Sequence, residues 1–278
     1  MNYPKEILKR YGNFFEIDFF RPYKTRKGKT ISKDVALADV HSPFHNKDIF
    51  ESVLEDTKNF EDMFIVGDWW DFYSKSFYRK QASIEFPKEF RQGFFLLQRV
   101  AERYDNVYLM LSNHDNRFKK WIFDNVPSDL IDFTDYQVIE NLIGTIPNVT
   151  IVKQQTRSAR KIDYVYKHKN VVFTHVEKSN IDITKTVQEI EKSFARWGGY
   201  YNLGEYDGVI QAHNHSSGRV KYGDKILMQI PCLIDVDAVA FDYAFNGKIQ
   251  GNPSALGYCV LHKDKGGYDM RKSYIVDF

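Results

Sequence analysis

Met63-Phe64-Ile65-Val66-Gly67-Asp68-Trp69-Trp70-Asp71 is an apolar run of four residues that ends abruptly in two carboxylates flanking two tryptophans. A short apolar run bounded by a turn signal reads as a buried strand. Two acids directly after it are either an acidic turn or ligands for a cation. The surrounding chain repeats the pattern. Val35-Ala36-Leu37-Ala38 ends in Asp39-Val40-His41, and Val107-Tyr108-Leu109-Met110-Leu111 ends in Ser112-Asn113-His114-Asp115. Val171-Val172-Phe173-Thr174 ends at His175, and Gly208-Val209-Ile210-Gln211-Ala212 leads into His213-Asn214-His215.

Helical spacing separates the first three strands. Asn46 is an N-cap candidate, with Ile49, Phe50, Val53 and Leu54 on one face of a helix running to Phe60. Phe94, Leu97, Val100, Ala101 and Tyr104 mark a second helix over Lys88–Tyr104. Alternating strands and helices predict βαβ units and a parallel sheet, in which ligands bind beyond the carboxyl ends of the strands. Further helices are expected over Tyr136–Leu142 and Ile181–Trp197. Ile226–Ile230, Gly257–His262 and Lys272–Val276 are expected to be strands of a second sheet. Residues 1–278 are read as one domain, with 1–34 a basic N-terminal extension and 116–165 a cap-like insertion edging the site.

Composition narrows the class. Hydrophobic residues make up 43% of 278, enough for a sizeable core, which excludes a disordered chain. The net charge of +2 selects no partner by itself, although Lys24-Thr25-Arg26-Lys27-Gly28-Lys29 offers either a phosphate contact or a solvated turn. Cys232 and Cys259 form no CxxC and are read as core residues. No apolar run is long enough to cross a bilayer and the N-terminus lacks a signal-peptide pattern, so a cytoplasmic protein is the expectation.

Taken in order, the five strand-end segments resemble the calcineurin-like metallophosphoesterases, whose signature runs DxH, GDxxD, GNH plus an acid, a lone His, and GHxH. The stretches 38–45 and 67–73 also look like members common in bacteriophage genomes. Ser112 and Ala212 stand where the family has glycine. The resemblance implies a four-layer α-β-β-α sandwich with two mixed β-sheets and a dinuclear metal site at strand C-terminal ends. It also implies a ligand set. Asp39, His41 and His215 would hold one ion, Asn113, His175 and His213 the other, and Asp68 would bridge them with its two oxygens. His114 would face the phosphate, oriented by Asp71 or by Asp115. Two divalent transition-metal ions suit these donors, Mn first and Fe, Ni or Zn as alternatives to it, rather than Ca or Mg.

The activity so implied is phosphoester hydrolysis by in-line attack of hydroxide, on diesters of nucleic acid (DNA among them) or nucleotides. A phosphomonoesterase is the alternative, and a non-catalytic metal-stabilised scaffold a further one. Phe72 after the second acid, in place of Arg-Gly, disfavours the protein-phosphatase branch. Trp69, Trp70, Phe72 and Tyr73 are either a stacking wall for a base or packing between sheet and helix, with packing favoured. Arg117 and Lys119 either reach an anionic substrate or begin a solvated helix.

Overall fold

The structure is a computed structural model describing residues 3–17, 32–77, 80, 82–154, 156–158, 161–162, 164–177, 182–235, 237–238 and 254–278. The basic cluster at 24–29 lies outside the described residues.

The expected β-α-β rhythm forms the first sheet. Strands β1 (Lys33–Leu37), β2 (Asp62–Val66), β3 (Asn106–Met110) and β4 (Val149–Ile151) pair in parallel in that order. Helices α2 (Lys47–Asp56) and α3 (Phe86–Ala101) fill the crossovers. Asn46 caps α2 by accepting from the Ile49 N–H at 3.1 Å. Successive side chains of β1 point to opposite layers: Val35 and Leu37 enter the core beneath α2 and α3, whereas Ala36 and Ala38 enter the core between the sheets.

The second sheet runs β10 (Gly218–Tyr222), β11 (Lys225–Gln229), β9 (Gly208–Gln211), β8 (Val171–Thr174) and β7 (Val165–His168). Its inner face, with Phe173, Ile210 and Met228, packs against the first sheet. Its outer face, with Val172, Val209 and Leu227, packs against Val187, Ile190 and Phe194 of α6 (Ile183–Tyr201). The four layers are therefore α, β, β, α, as expected. A separate two-stranded ribbon pairs β5 (Thr156–Ser158) with β6 (Lys161–Ile162).

The placement of two expected strands is corrected. β12 (Gly257–Asp264) and β14 (Tyr274–Asp277) belong to the first sheet, where β12 pairs antiparallel with both β1 and β14, and β13 (Gly267–Tyr268) folds back on β12. β12 places Tyr258 and Val260 in one core and Cys259 and Leu261 in the other. Either sheet is covered on both faces, so the apolar pattern of this strand reports burial without naming its neighbour.

The stretch 116–165, expected to edge the site as a cap-like insertion, contributes in part to the core. α5 (Val138–Ile143) buries Val138, Ile139, Leu142 and Ile143 in the outer core and β4 edges the first sheet. α4 (Arg117–Asn125) flanks the site, and Tyr164 stands against it, its carbonyl accepting from His175 N at 2.9 Å. Within the stretch 1–34, expected as a basic extension, α1 (Tyr3–Phe15) packs on α3 and α5 through Ile7, Leu8, Tyr11 and the fully buried Phe15.

Trp69 and Trp70 have no exposed surface and form no wall. Their indole N–H groups donate to the Gly93 and Phe90 carbonyls of α3 at 2.9 and 3.1 Å. This requires a glycine in α3, since a Cβ at Gly93 would lie 2.0 Å from Trp70 Nε1. Gly93→Ala is expected to destabilise the protein by about 2–3 kcal/mol, read as a lower urea midpoint at unchanged m-value.

Candidate metal centre

The loops after β1 and β2 zip together. His41 N donates to Asp68 O, Ser42 N to Trp69 O, and Asp71 N to Ser42 O, at 2.9, 2.8 and 3.1 Å. Across the sandwich, His213 N donates to Asp39 Oδ2 at 3.0 Å, tying the loop after β9 to the loop after β1. Asp39, His41, Asp68, His213 and His215 all have positive φ, between 49° and 79°. None is glycine, and each such backbone costs roughly 1–3 kcal/mol. The packing around them holds the side chains at one locus despite that cost.

The convergence is tight. Asp39 Oδ1 lies 3.4 Å from His215 Nε2, 3.8 Å from His175 Nε2 and 3.9 Å from His41 Nε2. Asp68 Oδ2 lies 3.1 Å from His175 Nε2, 3.8 Å from His41 Nε2 and 3.9 Å from His114 Nε2. Donors at about 2.0–2.2 Å from a shared ion sit about 3–3.6 Å apart. Asp39, His41 and His215 form one such group and Asp68, His175 and His213 another, with the ligand atoms of each within 4.8 Å of one another. A third group is His41, Asp71 and His114; the resemblance divides the first two groups in the same way and adds Asn113, in the loop after β3, to the second.

The donor chemistry fits divalent transition metals. Buried Asp39 Oδ1 and Asn113 Oδ1 accept no hydrogen bond among the described residues, a costly state for acceptors unless a cation meets them. His175 Nδ1 donates to the Val66 carbonyl at 2.8 Å, which turns Nε2 to the locus. Gly67 makes room for this ring: its φ is 85°, and a Cβ there would lie 2.4 Å from His175 Nδ1.

One implied detail changes. Asp68 Oδ1 is taken by the Ser112 hydroxyl and, at 3.1 Å, by His114 N. Ser112 Oγ also accepts from Asp68 N at 2.7 Å. Only Oδ2 faces the histidines, so bridging would use one oxygen rather than two. Ser112, where the family has glycine, thus fixes the central carboxylate.

Of the two acids, Asp71 is the one within hydrogen-bond distance of the His114 ring. Asp71 Oδ2 lies 2.9 Å from His41 Nδ1 and 3.1 Å from His114 Nδ1. Asp115 instead accepts from Trp70 N and Ser112 N at 2.8 and 2.9 Å, joining the two loops without touching His114. Arg117, which sequence reasoning left open, donates to Asp71 Oδ1 at 2.9 Å and to His114 Nε2 at 3.1 Å. The signal was its place three residues after His114, one helical turn away. His168 stands apart from the site, packed among Phe64, Tyr108 and Tyr166.

Charges follow the geometry. Burial opposes ionisation of Asp39 and Asp68, yet the neighbouring imidazoles outweigh it and both sit below the usual carboxylate range. Asp71 is likewise held low against burial by His114, His41 and Arg117. Burial and the charge of Asp68 push Asp115 up to about 7. Burial disfavours charge on His175, but Asp68 and Asp39 override it and raise the imidazole to about 10. Burial and the charge of His175 push His213 down to about 3. Without a cation, His175 supplies the positive charge of the site, and loading must displace its proton.

The sign of a pH effect follows. A raised folded-state pKa contributes stability that is complete below about 6.5 and lost as pH rises toward 10. Metal binding strengthens over that same interval as the competing proton leaves. The rise in Tm on adding Mn²⁺ over a chelated control is therefore expected to grow by about 3–6 °C per pH unit between pH 7 and 9. Scanning fluorimetry across that range measures it; a pH-independent increment would contradict a proton–metal exchange at His175.

No family model matches the chain, and no curated protein sequence does. Solved structures do. Vps29 of Chaetomium thermophilum aligns over 90% of this chain and 97% of its own, at 8% identity and a TM-score of 0.42. An archaeal phosphodiesterase aligns over 88% and 99%, at 13% identity and 0.39. Vps29 of Entamoeba histolytica, solved with zinc, aligns over 88% and 98%, at 11% identity and 0.39. Likeness at this level assigns no activity to the chain and does not bear on the phage-type resemblance, so the functional reading rests on the clustered side chains themselves.

Proposed function

We propose that this protein is a dinuclear metal-dependent phosphoesterase acting on phosphodiesters of nucleic acid or nucleotides. The observation that carries the proposal is the meeting of Asp39, His41, Asp68, His175, His213 and His215 at one buried locus beside His114. Asn113 completes the set of residues that would hold the ions. Two divalent cations would offset the charge of a phosphate ester and lower the pKa of a water toward about 7.

The chain's own residues do the rest. Asp71 orients two rings at once, turning His41 inward and His114 toward the mouth of the site. Guanidinium only donates, so Arg117 fixes His114 Nε2 as an acceptor in the resting site and Nδ1–H as the donor to Asp71. An ester oxygen arriving between Arg117 and His114 would draw the guanidinium to itself; the freed Nε2 would then take up a proton from solvent, with Nδ1–H still held by Asp71, and pass that proton to the leaving oxygen.

The test is turnover of bis-p-nitrophenyl phosphate and p-nitrophenyl phosphate by metal-replete protein, side by side. Cleavage of the diester alone supports the proposal. Cleavage of the monoester alone replaces it with a phosphomonoesterase. Silence on both with two ions bound leaves a metal-stabilised scaffold.

A further inference from the structure

We propose that the surface running from Arg117 along α4 and across to Phe77 is a binding track for single-stranded nucleic acid that leads into the metal centre. The proposal rests on the phosphodiesterase reading above for its destination but on separate observations for its existence.

Residues 72–77, 80 and 117–121 contain Lys75, Lys80, Arg117, Lys119 and Lys120 and no Asp or Glu, with Lys119 turned to Glu140 at 3.9 Å. Arg117, Lys120 and Trp121 stand at positions i, i+3 and i+4 and share one face of α4, while Ile122 is buried and Phe118 stacks on Phe86 at 4.4 Å. The short 3-10 turn Tyr73–Lys75 lies against α4. Between the two elements, Lys75 Nζ sits 4.2 Å from the Trp121 ring centre and Lys120 Nζ sits 4.9 Å from that of Phe77. Phe77 is 60% exposed, so its ring is accessible from solvent. The carboxylates near the strip are turned to other uses. Glu89 is buried and accepts from Tyr73 N and Ser74 N, Asp71 belongs to the site, and Asp124 lies beyond Trp121 toward the far end of α4.

Interleaved cations and rings are the surface that single strands use, with ammonium groups along the backbone and ring faces against bases. Trp121 is about 6 Å along the helix from Arg117, close to two stacked nucleotide steps of 3.4 Å. An acidic peptide would engage the lysines but leave the rings unused. Arg117 contacts His114 at one end of the strip, so a strand lying on it would present a phosphodiester to the site.

The experiment uses the full chain. Binding of fluorescein-labelled oligothymidylate is measured by anisotropy against salt in EDTA, so that it does not depend on catalysis. Wild type is compared with Lys75→Glu/Lys120→Glu and with Phe77→Ala, their folding checked by circular dichroism. Wild type is expected to bind with a salt-dependent affinity. The double charge reversal is expected to weaken binding at least about tenfold and to flatten the log–log salt slope by about 1.4. Phe77→Ala is expected to cost about fivefold or more with an unchanged slope. Metal-loaded variants are expected to hydrolyse bis-p-nitrophenyl phosphate within about twofold of wild type, because none of the three residues touches the site.

Absence of wild-type binding, wild-type-like binding by the variants, or equal affinity for a duplex of the same length would each overturn the track. Failure of the metallophosphoesterase reading shows separately, as a wild type that hydrolyses no diester.

Discussion

Diester turnover is expected to fall by about 10³-fold or more when Asp68 is replaced by asparagine, with bound metal falling in parallel. The substitution keeps the shape and changes the charge. Asp68 Oδ1 is fixed by Ser112 and His114 N, so an asparagine would leave its carbonyl there and turn its amide toward His41, His175 and His114. That amide brings no charge and no free lone pair to a cation. Loss of metal-dependent charge stabilisation is worth several kcal/mol, hence the three decades. Elemental analysis and steady-state kinetics on the same preparation decide the matter. A variant retaining a tenth of the activity with full metal content would remove Asp68 from the centre of the scheme.

His114→Ala is expected to separate chemistry from metal binding. Its ring stands 4.5 Å from His41 in an edge-on arrangement, and its Nε2 is 3.9 Å from Asp68 Oδ2, so it adjoins the ligands without being needed among them. Turnover should drop about 10²–10⁴-fold while metal content stays at the wild-type value. Asp71→Asn should show a mixed result, about 10–100-fold in activity together with weakened metal affinity, because the same carboxylate also aims the His41 ring. If His114→Ala lost its metals, His114 would be a ligand and its assigned role would fall.

The features legible in the sequence are those encoded locally. Apolar runs of four or five residues followed at once by acids or histidines marked the strand ends, and 3.6-residue spacing marked α2 and α3 to within a few residues. What escaped depends on contacts between distant segments. Nothing in Gly257–His262 says that its neighbour is β1 rather than β11, because both sheets bury both faces of their inner strands. Asp115 adjoins His114 along the chain and Asp71 stands 43 residues before it, yet it is Asp71 that meets the ring once the loops after β2 and β3 come together. Trp69 and Trp70 read as wall or packing until α3 supplies the Gly93 and Phe90 carbonyls. The residues 116–165 contain too little regular pattern to show that α5 and β4 complete the outer layer and the sheet edge.

The donors are divided between the halves of the sandwich: Asp39, His41, Asp68 and Asn113 hang from the first sheet, and His175, His213 and His215 from the second. Ions held there would rivet two slabs that otherwise adhere through greasy contacts such as Phe64 against Phe173. Stripping them would free one rim of the sandwich to gape, and proteases would find the connecting loops at that rim first.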